Sequence, residues 1–285
     1  MRIEPPVTSP RDLSEAFALL AERDGWQAVA GGTDLMVQIT GELAPPPERV
    51  LDLWRLDELR GIAIDAGELV LGALTTYTDI RRSVDVATAL PALVAAAATI
   101  GAAQIQNRGT LGGNIVNASP AGDTLPILLA TDARIVLGSA RGEREIPAQE
   151  FWTAYRRTVR EPDELVLRVH IPLPTGRQVR FRKVGTRRAQ AISKVVVALA
   201  WRPDEGGPWR DVRIALGSVA ERPIRAPRTE AALDGATPTA DLAARAARAL
   251  MEEIHPIDDV RSTAEYRRTV AGNVLRRLLR DEGGW

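Results

Sequence analysis

The stretch "GTLGGNIVNASPAGD", residues 109–123, decides how the chain is read. Closely spaced glycines run together with two asparagines, a threonine, a serine, a proline and an aspartate, and only Leu111, Ile115 and Val116 are sizeable aliphatic residues. Such a stretch is too polar for a core and too long for a simple turn. It reads as a surface loop with much open backbone, and loops of this size in a compact protein usually carry function. Gly112 and Gly113 admit a ligand close to the main chain. Thr110, Asn114, Asn117, Ser119 and Asp123 offer neutral donors and acceptors with one carboxylate, suited to polyol hydroxyls. That inventory fits a polyhydroxylated, phosphate-bearing ligand better than proton transfer. The stretch is no Walker A loop, because neither glycine pair leads into Lys-Ser or Lys-Thr, and it lacks the G-x-G-x-x-G fingerprint.

Towards the N-terminus a second glycine segment, "AVAGGTDLMVQI" (28–39), has the form of a strand, a turn and a helix. The strand ends at Ala30, Gly31 and Gly32 free the backbone, and the helix begins at Leu35. Backbone N–H groups at such a helix start favour an anion, for example a diphosphate. Asp34 fits as the N-cap of that helix, leaving the Thr33 hydroxyl for the ligand. On spacing alone, a plain strand–turn–helix connection accounts for this segment as well.

Around these two segments the pattern is mixed. "SPRDLSEAFALLAERDG" reads as an amphipathic helix with Ser9 as N-cap and Pro10 at the first position. "VLDLWRL" and "IAIDAGELVLGAL" read as strands, the latter with a turn at residues 65–68. "LTTYTDIRRSVDVATALPALVAAAATI" is helical in two pieces broken near Pro91. "TLPILLATDARIVLGS" gives a helix and a strand, and "RVHIP" another strand. After the Pro172–Gly176 cluster, "RQVRFRKVGTR", "AISKVVVALAWRP" and "DVRIALGSV" read as three antiparallel strands, followed by two helices. The alternation first and the strand run last give an α+β protein, divided into residues 1–174 and 175–285.

Composition narrows the chemistry. The 285 residues carry 37 basic and 37 acidic groups, a balance that argues against nucleic acid as the main partner. With no cysteine, the chain holds no disulfide, thiolate zinc or iron–sulfur site, and His170 and His255 are too far apart for a usual nitrogen-ligand metal site. No run is apolar enough to span a bilayer and the N-terminus lacks an apolar leader, so a cytoplasmic protein is expected. There is no Gly-x-Ser-x-Gly elbow and no obvious carboxylate pair. The chemistry therefore belongs to a bound cofactor. Only two of the 37 basic residues, Lys183 and Lys194, are lysines, and both fall in "FRKVGTRRAQAISKV". Either this segment needs a primary amine or the two survive by chance.

"AGGTDL" followed some seventy residues on by "TIGAAQIQNRGTLGGNIVNASPAGD" resembles the flavin-binding medium subunit of the molybdenum hydroxylases, the family of carbon monoxide dehydrogenase and bacterial xanthine dehydrogenases. The likeness continues through "FRKVGTRRAQAISKV" and "PIDDVRSTAEYRRTVAGNVLRRLL", over nearly the whole chain. It implies a PCMH-type FAD-binding domain, shared with vanillyl-alcohol oxidase, and then a small domain like the C-terminal one of the carbon monoxide dehydrogenase flavoproteins. By this resemblance Ala30, Gly31, Gly32, Thr33, Asp34 and Leu35 wrap the FAD diphosphate. Ile100 and Gly101 lie in the turn beside the isoalloxazine ring, with Ala102 where the family has a second glycine. Thr110, Gly113, Asn114, Asn117 and Asp123 hold the diphosphate and ribityl chain. Lys183 matches the family's lysine near the pyrimidine edge of the ring. The FAD is non-covalent, and this chain holds no metal. The molybdenum cofactor belongs to a large partner subunit and the [2Fe–2S] clusters to a small one, in a dimer of heterotrimers. The flavin then passes electrons to NAD, oxygen, a quinone or another carrier.

Two rivals differ in class. A self-contained flavin oxidase of the same fold generally carries a capping domain larger than residues 175–285, and often a His or Cys anchor for the flavin. The non-enzymatic rival is a nucleotide-binding or scaffold module that keeps the fold and has lost electron transfer, against which the chain keeps every glycine motif apart from the change at Ala102. In the last helix Arg267, Arg268, Arg276, Arg277 and Arg280 read as a solvated face opposite Val270, Val274 and Leu278. His170 and His255 read as structural.

Overall fold

The computed structural model describes residues 5–42, 45–187, 190–204 and 207–285. Short parallel strands β1 (Val7–Thr8), β2 (Trp26–Val29) and β3 (Arg49–Asp52) form one sheet in the order β1-β3-β2. Helix α1 (Leu13–Ala21) links β1 to β2, and α2 (Leu35–Thr40) links β2 to β3. The N-cap of α1 is Asp12, which accepts the Glu15 N–H at 2.8 Å, and Ser9 lies outside the helix, donating to Asp52. The expected cap was three residues early, because Asp12 places its carboxylate on the exposed first turn and Ser9 is drawn to the neighbouring strand.

A second, five-stranded antiparallel sheet follows. Its strands are β4 (Ile62–Asp65), β5 (Glu68–Gly72), β6 (Arg134–Ser139), β7 (Gly142–Pro147) and β10 (Leu165–Pro172), in the order β4-β5-β10-β6-β7. Ala66 and Gly67, both with positive φ, close the β4–β5 turn at the expected place. His170 on β10 bonds Glu68 at 3.0 Å and accepts from Arg168, so it is a structural side chain. The stretch 77–97 forms three helices where two are expected: α3 (Tyr77–Arg82), α4 (Val84–Ala89) and α5 (Pro91–Ala97). Ser83 ends α3 and its hydroxyl caps α4 through the Val86 N–H, adding a break upstream of Pro91.

Three small elements escape a sequence reading: α6 (Ala103–Gln106), α9 (Ala148–Phe151) and the hairpin of β8 (Trp152–Ala154) with β9 (Arg157–Thr158). The largest departure is in the opening stretch, whose residues Leu111–Asn117 form helix α7 while residues 118–124 remain in turns, and Leu125–Ala130 form the expected helix α8.

The C-terminal part is a four-stranded antiparallel sheet of β11 (Gln178–Val184), β12 (Val195–Pro203), β13 (Trp209–Gly217) and the short β14 (Ile224–Arg225). Central β12 is apolar from Val195 to Trp201 because both its faces are covered there. Val196, Ala198 and Ala200 join the N-terminal core, and Val195, Val197, Leu199 and Trp201 join a second core. That second core is closed by α10 (Pro227–Leu233), α11 (Ala240–Glu253) and α12 (Ala264–Gly283), of which α10 is not foreseen in the sequence. Arg267 on α12 corrects the solvated-face expectation. It is 4% exposed, donating to the Ser218 carbonyl at 2.7 Å and to Asp259 at 2.6 Å. Arg276, Arg277 and Arg280 do face solvent. Among the described residues no helix is long and apolar enough to cross a membrane.

Candidate functional site

Two backbone segments meet at Gly31. A Cβ built there would stand 1.7 Å from the Arg108 carbonyl oxygen, so only glycine lets the turn after β2 rest against the chain leading into α7. Gly32 adopts φ +73°, which aims the following turn into α2. The N–H groups of Gly32, Thr33 and Asp34 have no hydrogen-bond partner among the described residues. They form a set of open donors at the start of a helix, the arrangement that receives an anion.

Asp34 does not cap α2 with its side chain. Its carboxylate accepts instead from Asn117 at 3.2 Å and from Gln38, and pairs with Arg156 at 3.5 Å. Arg156, at the tip of the β8–β9 hairpin with φ +52°, also donates to the Asn117 Oδ1 at 2.7 Å. Asp34 thus joins three elements that are distant in sequence. A short carboxylate with a reachable cation and amide bonds those in preference to its own helix start.

The donors at the start of α7 are already used. The Leu111 N–H goes to Thr75 at 2.9 Å, Gly112 to Ala73 at 2.9 Å, and Gly113 to the Thr110 hydroxyl at 3.1 Å. Gly112 is needed for packing, since its Cβ would meet the Ala73 Cβ at 2.7 Å and the Ala73 carbonyl at 2.8 Å. At Gly113 a Cβ would meet only the Thr110 hydroxyl, at 2.9 Å. The second segment therefore offers a glycine surface and the side chains of Asn114 and Asn117. Thr110 is the N-cap that fixes this helix, so Thr110→Ala should lower stability by about 1 kcal/mol, while Thr110→Ser leaves it nearly unchanged, as read by denaturant unfolding.

Next to these segments Gly101 adopts φ +54°, whereas Ala102 is extended at φ −108°. An alanine is therefore at no disadvantage where the family has its second glycine. The turn is held by Gln106, whose amide donates to the Ile100 carbonyl at 3.0 Å and whose oxygen accepts from Arg81. Neither residue stands out in the sequence, since a lone buried Gln carries no motif.

A cavity of about 630 Å³ opens between these elements. Its wall includes Ala30, Gly31, Gly32, Thr33, Asp34 and Leu35, then Ile100, and then Thr110, Gly112, Gly113, Asn114 and Asn117. Gly101, Ser119, Asp123 and Lys183 stand outside the wall. Ser119 caps a turn through the Ala121 N–H at 3.2 Å. Asp123 and Lys183 face each other in a buried ion pair, Nζ to Oδ2 2.5 Å. The Lys183 ammonium also donates to the Thr99 carbonyl at 3.3 Å, directly behind Ile100. Burial pushes the Asp123 carboxyl up and Lys183 opposes that shift, while Asp123 Oδ1 makes no hydrogen bond. The wall also holds residues that no motif marks: Ala73, Leu74 and Tyr77 on one side, and Arg156, Arg160, Glu164 and Leu165 on another. The Tyr77 hydroxyl is raised well above the usual phenol range, first by burial and then by the Asp123 charge.

A cavity of this size, lined by an open N–H cluster and by apolar residues such as Leu53, Leu74 and Val166, suits a dinucleotide. Fold and site together define a flavin-dinucleotide-binding domain joined to a smaller α+β domain. The chain belongs to the family of the FAD binding domain in molybdopterin dehydrogenase, matched over residues 2–174, and residues 180–281 match the CO dehydrogenase flavoprotein C-terminal domain. It is 34% identical to the glyceraldehyde dehydrogenase medium chain of Sulfolobus acidocaldarius, over 90% of this chain and 91% of that one. It is 30% identical to the xanthine dehydrogenase FAD-binding subunit of Escherichia coli, over 95% of each. Its structure superposes on a carbon monoxide dehydrogenase chain from Hydrogenophaga pseudoflava with a TM-score of 0.92 and 31% identity, covering 97% of this chain and 96% of that one. The protein is an FAD-binding medium subunit of an oxidoreductase of the molybdenum hydroxylase family.

Proposed function

We propose that the chain carries electrons between [2Fe–2S] clusters of a small partner subunit and an external acceptor, with a large molybdenum-binding subunit oxidising the organic substrate. The observation that supports this reading best is the cavity itself. Two glycine segments and an open N–H cluster build a place for a dinucleotide in a chain without cysteine or any evident acid–base pair of its own.

When bound, FAD supplies an electron carrier that works with both one-electron and two-electron partners. The residues of the chain position it. Gly32, Thr33 and Asp34 offer N–H groups to its diphosphate, and Ala30, Gly31 and Leu35 shape that turn. Gly112, Gly113, Asn114 and Asn117 present a close surface and amides to the linker, on a helix fixed by Thr110. Ile100 and Gly101 form the ring-side turn. Lys183 sits behind it as a buried cation, anchored by Asp123. Ser119 acts through the turn it caps.

In the same reading the division between domains falls at residues 174 and 175, and the complex is a cytoplasmic dimer of heterotrimers whose acceptor is NAD, oxygen or a quinone. Isolation of the natural complex tests this. A large molybdenum-containing chain and a small cysteine-rich chain should accompany this one. Recovery of a single, self-sufficient flavoprotein would contradict the proposal and favour the oxidase alternative.

A further inference from the structure

Arg160 follows the β8–β9 hairpin and stands in the cavity wall, outside both glycine segments. Its Nη1 is fixed by three main-chain carbonyls: Glu161 at 3.0 Å, Pro162 at 3.5 Å and Glu164 at 2.6 Å. The other two nitrogens are unused. Nη2 makes no hydrogen bond with any described residue, and Nε is buried without a partner. The acids nearby are already engaged. Glu164 accepts from Arg144 at 2.6 and 2.8 Å and from the Glu161 N–H at 2.7 Å. Asp163 pairs with Arg141.

A half-buried guanidinium without a carboxylate partner is unusual, because the charge loses hydration and gains no opposite charge in contact. Its pKa is correspondingly lowered, by burial, against the pull of Glu164 and Asp163. The three carbonyls hold the planar group through Nη1, and with Nε enclosed in the protein, Nη2 is the donor left for a ligand at the cavity wall.

The position of Arg160 indicates which part of a ligand it meets. Four residues earlier, Arg156 closes on Asp34 and Asn117 at the turn with the open N–H groups. Pro162, Leu165 and Val166 add apolar wall beside the guanidinium.

We propose that Arg160 is a specificity-determining residue that reads the nucleotide half of the dinucleotide, donating to acceptor atoms which FAD has and FMN lacks. This rests on the FAD reading above. The adenosine half offers ring nitrogens, ribose hydroxyls and a second phosphate, all acceptors for a fixed guanidinium.

The test is a flavin-fluorescence titration of the full chain, stripped of cofactor, with FAD and separately with FMN. Arg160→Met should weaken FAD by about 10- to 100-fold, the effect of one charged hydrogen bond, and leave FMN affinity unchanged. Arg160→Lys, which keeps the charge without the fork, should fall between. An equal loss for FAD and FMN, a loss of all flavin binding, or no change would overturn the proposal, the first two by assigning Arg160 to supporting the turn. If the unaltered chain bound neither flavin, the FAD reading itself would fail, a result distinct from any behaviour of the variants.

Discussion

Gly31→Ala should yield a chain that no longer retains FAD. The added methyl would stand 1.7 Å from the Arg108 carbonyl oxygen and 2.5 Å from its carbon. Neither atom can move by a side-chain rotation, so the two glycine segments must separate, and the open N–H groups of Gly32 to Asp34 shift with them. Overpacking of this kind costs about 3 kcal/mol, which corresponds to a melting temperature lower by about 6–12 °C. FAD affinity should fall at least about 100-fold, because the lost alignment exceeds the value of a single hydrogen bond. Gly67→Ala is the control. Gly67, unlike Gly31, has positive φ, +80°, but a Cβ there meets no atom within 4 Å, in a turn away from the cavity. It should cost about 1 kcal/mol of backbone strain and leave FAD binding intact. Equal retention of flavin by Gly31→Ala and the unaltered chain would show that the two segments need not touch.

The second large effect is expected at Lys183. Lys183→Met leaves the Asp123 carboxylate buried with no counter-charge and one oxygen already unpaired. Removing one member of a buried pair costs about 3–5 kcal/mol. Asp123→Asn combined with Lys183→Met removes both charges and should recover most of that stability. The paired variants also separate structure from redox tuning. A buried ammonium behind Ile100 favours negative charge gained nearby on reduction, by about 1–2 kcal/mol. Its removal should therefore lower the reduction potential of the bound flavin by about 20–45 mV. The double variant should fold as the parent does and show a smaller lowering than Lys183→Met, because the Asp123 charge that opposes the ammonium is removed with it. A potential unchanged in Lys183→Met would leave Lys183 with a packing role alone.

What the sequence makes legible depends on how local the determinants are. The strand of Trp26–Val29, the β4–β5 turn and the amphipathic α11 follow from patterns within a few residues. Strand β12 is legible as a strand because its two covered faces leave a continuous apolar run. Helix α7 was hidden because two glycines and two asparagines are poor helix formers. Its first N–H groups are satisfied instead by Ala73 and Thr75, and Trp152 donates to the Ile115 carbonyl at 3.0 Å. Those partners are far away in the chain. The same reason explains Asp34, whose bonds to Asn117 and Arg156 replace the expected cap, and Gly112, whose glycine serves packing against Ala73. The two motifs line one cavity, but its wall from Arg156 to Leu165 and the supporting Gln106 exist only through tertiary placement.

In the proposed function the cavity joining the two glycine segments holds one FAD without a covalent bond. The most direct test is acid precipitation of the purified chain, or of its complex, followed by identification of the released flavin. The protein should be yellow, give up one FAD per chain to the supernatant and take it up again on reconstitution. A colourless chain that cannot be reconstituted, or flavin that stays with the precipitated protein, would contradict it.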